Sequence, residues 1–251
     1  MKDGIIHTEL SDDGGYTITI DRPEKGNALT SEMTDQLAKA FSQPPEGARF
    51  IVLSGQGDDF CAGRDSPMPK GGQVMSAEAI RARVADPVLA FYETIRNVSL
   101  PVICIVRGRA HGVGCALAGL GDIIIADQTA DFCIPEMNRD IPPLLVGTAL
   151  ADRLPRAALS RMIYGRESVD AQAAVIMGLA SEAVASDELE ARIATWRSLL
   201  SQNSKTILST VKRFLNVAPE LGFQSLREYA AVSNSAAVSE RFIDPNNKSK
   251  K

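Results

Sequence analysis

The chain has 251 residues, with 27 Lys and Arg against 31 Asp and Glu and a formal net charge of −4. Hydrophobic residues make up 45% and charged residues 23%, the proportions of a folded globular protein, which excludes an intrinsically disordered chain. Because acidic residues outnumber basic ones and only 5% of residues are aromatic, the composition excludes a general nucleic-acid binder.

The first fifty residues predict a β-hairpin, a helix and the start of a buried strand. Residues 5–10 and 16–21 are strand-like, and an Asp-Asp-Gly-Gly run between them supplies the turn. Thr30 has a hydroxyl that can cap a following helix, which a Pro-Pro pair ends about twelve residues later. The continuously apolar residues 50–53 indicate a strand that is buried on both faces.

The following residues repeat a strand–loop–helix plan. Residues 67–72 are rich in proline and glycine and predict a mobile loop. A long helix is predicted over residues 76–98 because four apolar side chains share one helical face, namely Val84, Val88, Phe91 and Ile95. Two further buried strands, 101–106 and 123–125, flank a short helix at 115–120. The first two buried strands begin about fifty residues apart, which suggests an internal repeat.

Beyond Pro143 the sequence predicts helices and no further strands. Gly165 and Gly178 are expected to end two of these helices. A later helix is predicted to be capped by Asp187, with Glu190 completing a capping box, and helical patterning continues almost to the end of the chain. The first three of these helices are predicted at 144–154, 156–164 and 170–177.

We divide the chain into an α/β core, residues 1–190, and a C-terminal helical region, residues 191–251. A helical region without strands of its own often buries its apolar face against a neighbouring subunit. This region is therefore the expected site of oligomerisation.

The sequence shows no feature of a membrane or secreted protein. Its longest apolar runs are about the length of a strand, short of the roughly 18–20 residues that span a bilayer. The first residues contain no long apolar stretch of the signal-peptide kind. We therefore expect a cytoplasmic protein with no membrane partner, in which four single cysteines are reduced and buried: Cys61, Cys104, Cys115 and Cys133.

Several common active sites have no candidate residues in this chain. There are two histidines, no G-x-S-x-G motif and no paired His or Cys spacing, so neither a serine hydrolase nor a metal site is predicted. The residues from Gly112 to Leu117 match a dinucleotide-binding fingerprint at its first two glycines and miss the third. A nicotinamide site therefore remains as a weakly matched alternative.

Two loops place small residues at the ends of buried strands, at 61–65 and 108–114. Glycines there let the backbone approach a ligand and expose N–H groups. Two such donors that converge on one point form an oxyanion hole, which stabilises negative charge on a carbonyl oxygen. Tight packing of the loops against the sheet would explain the same glycines, and both interpretations stay open on this evidence.

Four motifs occur in an order and spacing that resemble the crotonase superfamily, the enoyl-CoA hydratase/isomerase family. The resemblance covers about residues 5–215 and implies an α/β fold, a spiral of ββα repeats with a C-terminal helical oligomerisation region. It also implies an acyl-CoA substrate and a homotrimer or a dimer of trimers. The motifs are Lys25-Gly-Asn-Ala-Leu29, Phe60-Cys-Ala-Gly-Arg-Asp65, the residues from Gly108 to Ala116, and Phe132-Cys-Ile-Pro-Glu136.

The resemblance assigns a role to individual residues of this chain. It implies that the backbone N–H groups of Arg64 and Val113 bind the thioester oxygen, and that Glu136 is the general acid/base. It implies no metal and no cofactor, since CoA arrives as part of the substrate. The residues expected to contact the CoA moiety or substrate are Lys25, Ala28, Ala62, Asp65 and Gly112.

The chain departs from the hydratase pattern at Ala116, where hydratases of this family usually carry a second glutamate. Water addition is shared most easily by two carboxylates, whereas one glutamate can still move a proton between two carbons. We expect an enoyl-CoA hydratase, with a double-bond isomerase and a non-catalytic acyl-CoA-binding protein as alternatives. Asp140 is a possible second acid/base if residues 136–140 are helical, but Pro142 and Pro143 follow immediately and favour a structural role for it. Segments 66–75 and 137–148 are expected to shape the acyl pocket.

Overall fold

The computed structural model describes residues 4–65 and 75–243, in which nine strands and ten helices are defined. The predicted loop at 67–72, and almost all of the segment 66–75 expected to shape the acyl pocket, lie outside the described residues. The strands are β1 (Ile5–Leu10), β2 (Gly15–Asp21), β3 (Phe50–Gly55), β4 (Val102–Val106), β5 (Arg109–His111), β6 (Ile123–Asp127), β7 (Asp131–Cys133), β8 (Val169–Asp170) and β9 (Glu182–Val184).

The helices follow the strands at regular intervals and then dominate the last third of the chain. They are α1 (Ser31–Ser42), α2 (Ala77–Ile80), α3 (Asp86–Arg96), α4 (Val113–Gly119), α5 (Leu144–Leu150), α6 (Arg156–Gly165), α7 (Ala171–Met177), α8 (Leu189–Ser201), α9 (Lys205–Val217) and α10 (Phe223–Ile243). No helix in the described ranges is both long enough and apolar enough to cross a membrane.

Six strands form the main sheet, in the order β1-β2-β3-β4-β6-β9. The hairpin of β1 and β2 is antiparallel, as its turn residues predict, and every other neighbouring pair is parallel. In the centre, Leu53 pairs with Cys104 and Cys104 pairs with Ile124. Because these strands are parallel, the loops that follow β3, β4 and β6 all leave from the same edge of the sheet.

Successive chain units contribute to a second, smaller sheet beside that edge. After β4 the chain forms β5, after β6 it forms β7, and β5 and β7 pair in parallel. After β3, Cys61 makes an isolated bridge to Ala110 of β5, so the same plan begins one unit earlier. This recurrence confirms the internal repeat predicted from the spacing of the buried strands.

The main sheet is covered on both faces, which explains its continuous apolar runs. Along β3, Ile51 and Leu53 join the larger core cluster, whereas Phe50 and Val52 join a smaller one on the opposite face. Successive residues of a strand point to opposite faces, so each run of apolar residues serves both clusters. Helix α8 covers the smaller cluster with Leu189 and other apolar side chains.

The predicted helix over 76–98 is broken. The chain forms the short α2, then a π-helical turn at Arg81–Ala85, and then α3, with Pro87 near its start. A proline lacks the N–H that a continuous helix needs and is tolerated in the first turn. The predicted apolar face persists where α3 is regular, since Val88, Phe91 and Ile95 are buried.

The prediction that strands end before Pro143 is wrong. Strand β9 pairs in parallel with β6, where Ala126 lies opposite Ala183, and the two-residue β8 pairs with β7. Both strands are too short to show periodicity. They are held instead by neighbours that are distant in sequence.

One predicted helix boundary is wrong and three are confirmed. Helix α8 begins after Glu188 without a side-chain cap, so the capping box predicted at Asp187 does not form. Helix α6 ends at Gly165, as predicted, although Arg166 rather than the glycine takes the left-handed conformation that follows the helix. Thr30 caps α1 by accepting a hydrogen bond from Met33 N, and Gly178 ends α7 with a positive φ.

Asn27 ties together the loops that approach the edge of the sheet. It is fully buried with a φ of 58°. Its side-chain amide donates to the carbonyl oxygens of Gln56 at 2.9 Å and Asp59 at 2.6 Å, and its Oδ1 accepts from Arg22 N at 2.8 Å. One side chain therefore fixes the turn before α1 against the loop that follows β3.

We expect Asn27→Ala to lower the free energy of unfolding by roughly 2–4 kcal/mol, because it removes the partner of three backbone groups in part-buried hydrogen bonds and places alanine at a positive φ. Denaturant titration measures the change. Asn203→Ala removes one exposed amide hydrogen bond and should change the stability by less than about 0.5 kcal/mol. Equal effects of the two substitutions would contradict the bracing role of Asn27.

Candidate active site

A cavity of about 250 Å³ lies where the two Gly-containing loops approach α3 and the segment after β7. Its walls combine backbone N–H groups, a carboxylate, a phenol and apolar side chains. The residues that line it include Ala62, Gly63, Arg64, Val84, Val88, Tyr92, His111, Gly112, Val113, Glu136, Arg139, Leu145 and Val146.

The first loop crosses between two segments and bonds to both. On one side, Cys61 N donates to Arg109 O and Cys61 O accepts from His111 N. On the other side, Ala62 N donates to Gly26 O at 2.8 Å. Leu29 then bridges Arg64, because Leu29 N donates to Gly63 O and Asp65 N donates to Leu29 O. In such a bridge the N–H of Arg64 itself points away from Leu29, and it has no acceptor among the described residues.

The second donor comes from the start of α4. Gly112 N donates to Cys133 O, and Gly112 O accepts the helical bond from Ala116 N. Val113 is the first residue of the helix, and its N–H has no acceptor within residues 4–65 and 75–243. The first N–H groups of a helix have no partner in the helix itself. Arg64 and Val113 therefore line one cavity, and neither backbone N–H donates to another described residue.

Glu136 begins the 3₁₀ turn that follows β7, and its carboxylate lies against Gly112. Its Oε1 is 2.7 Å from the position that a Cβ on Gly112 would occupy. Its Oε2 is buried and has no hydrogen-bond partner among the described residues. Burial raises the pKa of Glu136, while its own backbone N–H, Arg139 and His111 act in the opposite direction. A carboxyl of this kind can both accept and return a proton.

The opposite wall comes from the broken helix and was not recognised in the sequence. Val84, Val88 and Tyr92 are spaced four residues apart and all line the cavity. The ring of Tyr92 is 4% exposed. Its place beside Phe91 in an apolar helical pattern favours a core residue, so nothing in the sequence pattern singles out its hydroxyl.

The structure brings together some of the residues predicted for substrate contact and not others. Ala62 and Gly112 line the cavity. Lys25 is exposed on the adjoining 3₁₀ turn, and Ala28 is half-buried there. Asp65 is exposed and its carboxylate bonds to the Arg22 guanidinium at 2.8 Å. These last three residues border the loop rather than the cavity itself.

Asp140 does not lie on a helical face with Glu136. Residues Glu136–Arg139 form a 3₁₀ turn, and Asp140 follows it with a φ of 56°, exposed and outside the cavity lining. The spacing of four residues that would align the two side chains in an α-helix therefore does not apply. Asp140 instead borders a neighbouring apolar groove.

Glycine is required at two positions of the second loop. A Cβ on Gly114 would overlap the carbonyl oxygen of Cys61, so the helix can approach the first loop only without a side chain there. Gly112 has φ 54° and ψ −114°, a conformation that other residues rarely adopt. Within the described part of the chain, no group of three or more His, Cys, Asp or Glu side chains is placed to hold a metal ion.

Comparison with known proteins agrees with this architecture. The family model for enoyl-CoA hydratase/isomerase matches residues 12–239. A probable enoyl-CoA hydratase of Rhodobacter capsulatus is 32% identical over 209 residues, which cover 83% of this chain and 79% of that protein.

Two crystal structures show the same spiral of α/β repeats. An enoyl-CoA hydratase of Mycobacterium smegmatis superposes with a TM-score of 0.86 at 26% identity, covering 96% of this chain and 91% of that one. A putative enoyl-CoA hydratase of Thermobifida fusca in complex with CoA superposes with a TM-score of 0.84 at 24% identity, covering 95% of each chain. The second likeness shows the fold alone, and the crotonase-type fold predicted from the motifs is confirmed.

We expect Gly112→Ala to lower the free energy of unfolding by roughly 1–3 kcal/mol, because its Cβ meets the Glu136 carboxylate and its backbone is strained. Gly165→Ala is the matched control, since a Cβ there meets nothing within 4 Å and alanine favours the end of α6. Denaturant titration of both variants measures the difference. A Gly112→Ala protein as stable as the control would contradict the contact.

The raised pKa of Glu136 gives a second expectation. Burial makes the folded protein hold the Glu136 proton more tightly than the unfolded chain, so the stability it contributes is present at acid pH and is lost as pH rises. Glu136→Gln cannot ionise, so its stability relative to the native protein should increase from pH 4 to pH 7. Thermal unfolding across this range measures the trend. Glu167→Gln, at an exposed position, controls for the lost charge, and an identical trend there would contradict the role of burial.

Proposed function

The chain belongs to the enoyl-CoA hydratase/isomerase family, and from this premise we propose that it transforms an acyl-CoA thioester through an enolate. The observation that carries the proposal is one cavity lined by Arg64, Val113 and Glu136. It combines a buried carboxylate with two backbone N–H groups that have no acceptor among the described residues. Backbone donors aimed at a thioester oxygen stabilise the charge that develops there, and the carboxylate moves the proton.

The proposed hydration proceeds in two proton movements. The thioester oxygen accepts hydrogen bonds from Arg64 N and Val113 N, at about 2.7–3.1 Å. Water adds to the β-carbon and gives one proton to the Glu136 carboxylate, while the C=C electrons shift to form the enolate. The protonated Glu136 then gives that proton to the α-carbon. The sum is one water added across the double bond.

The CoA moiety is proposed to enter beside the first loop as part of the substrate, with no separate cofactor. Ala62 and Gly112 line the cavity and would contact the part of the substrate next to the thioester. Lys25, Ala28 and Asp65 lie on the adjoining surface, where the longer part of CoA would pass. The T. fusca neighbour, whose structure is described as a complex with CoA, has the same fold and supports a CoA-containing ligand.

A double-bond isomerase is the second candidate, and Ala116 favours it. This residue is fully buried and supplies no carboxylate to the cavity. In isomerisation Glu136 removes a proton from the α-carbon of a 3-enoyl-CoA and returns it to the γ-carbon, so one carboxylate suffices. Relative rates on 2-enoyl-CoA and 3-enoyl-CoA substrates distinguish the two reactions.

The C-terminal helices are proposed to form contacts between copies of the chain, in a homotrimer or a dimer of trimers. Large apolar side chains are exposed along these helices in the single chain. Contiguous exposed apolar surface is typical of an interface between proteins. The exposed residues include Leu199, Val211, Leu215, Phe223, Val232 and Phe242.

We expect Glu136→Gln to lower turnover of crotonyl-CoA, or of a 3-enoyl-CoA, by roughly 10²- to 10⁴-fold, the usual contribution of a general acid/base group. Because the substitution is nearly isosteric, affinity for the CoA ligand should change only a few-fold. Steady-state kinetics and isothermal titration calorimetry measure the two quantities.

The matched control for this prediction is Glu167→Gln, which makes the same chemical change at an exposed position and should retain full activity. Arg64→Ala should also retain most of the activity, because the proposed donor is a backbone group. Loss of binding in Glu136→Gln equal to its loss of turnover would point to a structural role. Failure of the native protein to bind any acyl-CoA would refute the proposed function.

A further inference from the structure

Tyr92 lines the cavity and carries a hydroxyl group that the proposed function does not yet use. Its hydroxyl is buried and has no hydrogen-bond partner within the described ranges. The residue lies on α3, lines the cavity, and leaves only 4% of its surface exposed. A buried hydroxyl without a partner loses its bonds to water and gains none in return. A ligand in the cavity that supplies a partner therefore gains affinity at this point.

The electrostatic surroundings determine which hydrogen-bonding role this hydroxyl can take. Burial, and next the charge of Glu136, raise the pKa of Tyr92, so the phenol keeps its proton and acts as a donor. Glu136 lines the same cavity, and its buried Oε2 atom also has no partner among the described residues. One wall thus offers a donor and another an acceptor.

An oxygen atom that carries a hydrogen matches this pair. Water or a hydroxyl group can accept a hydrogen bond from Tyr92 and at the same time donate one to Glu136. The rest of this wall is apolar: Val84, on the turn before α3, and Val88, on α3, line the cavity beside Tyr92. A saturated acyl chain would pack against this wall without satisfying the phenol.

We propose that the Tyr92 hydroxyl binds the oxygen at the β-carbon of the acyl chain, which is the added water in hydration and the 3-hydroxyl group in the product. This inference rests on the proposed function and favours hydration over isomerisation, which involves no such oxygen. Tyr92 keeps its proton throughout. Water still gives one proton to Glu136 and its oxygen to the β-carbon. Ala116 supplies no second carboxylate to hold this water, and Tyr92 holds it instead.

The test compares Tyr92→Phe with the native protein for two ligands of equal chain length, 3-hydroxybutyryl-CoA and butyryl-CoA. Isothermal titration calorimetry should show about 2- to 10-fold weaker binding of the hydroxyacyl ligand, the usual contribution of one hydrogen bond, and unchanged binding of butyryl-CoA. The melting temperature of the unliganded variant should be unchanged or higher, because the buried hydroxyl has no described partner to lose. Tyr164→Phe removes an exposed phenol and should change neither ligand's affinity.

Other outcomes overturn the inference. Equal weakening of both ligands would show that Tyr92 only shapes the pocket, and a lower melting temperature would show that its hydroxyl bonds within the protein. Unchanged binding of both ligands would reject the role of Tyr92 and leave the proposed function standing. If the native protein binds neither ligand, both the proposed function and this inference fail.

Discussion

The site depends on the way residues 61–65 share their backbone hydrogen bonds between two neighbours. Cys61 pairs with β5, and Leu29 takes the bonds of Gly63 and Asp65. Only in this register does the N–H of Arg64 point away from Leu29. A shift by one residue would exchange the two sides of the extended segment, as it does in any strand. The N–H of Arg64 would then point toward Leu29 and hydrogen-bond within the protein. The buried amide of Asn27 holds the neighbouring loops that make this register possible.

The charges around the cavity complement this arrangement of donors. Burial disfavours an ionised carboxylate at Glu136 and also lowers the pKa of the nearby Arg64 guanidinium. Backbone N–H groups, in contrast, carry no ionisable charge. They are already oriented and need not move when negative charge develops on a substrate oxygen. In the proposed function, the protein stabilises an enolate with N–H groups and uses a carboxyl that exchanges its proton readily. Both features come from the burial of these groups around one small cavity.

Sequence reasoning recovers the parts of this structure that local chemistry determines. The hairpin, the Thr30 cap and the buried central strands carry their signals within a few residues. The short strand β9 does not, because its pairing with the distant β6 stabilises it, and the π-helical turn before α3 leaves no mark on the apolar pattern. In the site, the motifs locate Arg64, Val113 and Glu136 in one cavity. They miss Tyr92, whose ring fits an apolar pattern and whose unpaired hydroxyl is a property of tertiary packing alone.

The polar groups around the cavity come from separate elements, and each element supplies a different group. The N–H donors belong to the two loops at the edge of the sheet, and the carboxylate follows β7. Helix α4 contributes the N–H of Val113, and the buried side chain of Ala116 carries no polar atom. In the proposed hydration, a side chain that holds an oxygen at the β-carbon then comes from another wall. Helix α3 supplies one through Tyr92, and the irregular turn at Arg81–Ala85 precedes the regular segment that presents it. In the proposed hydration, the packing of α3 rather than that of α4 therefore determines where the water is held.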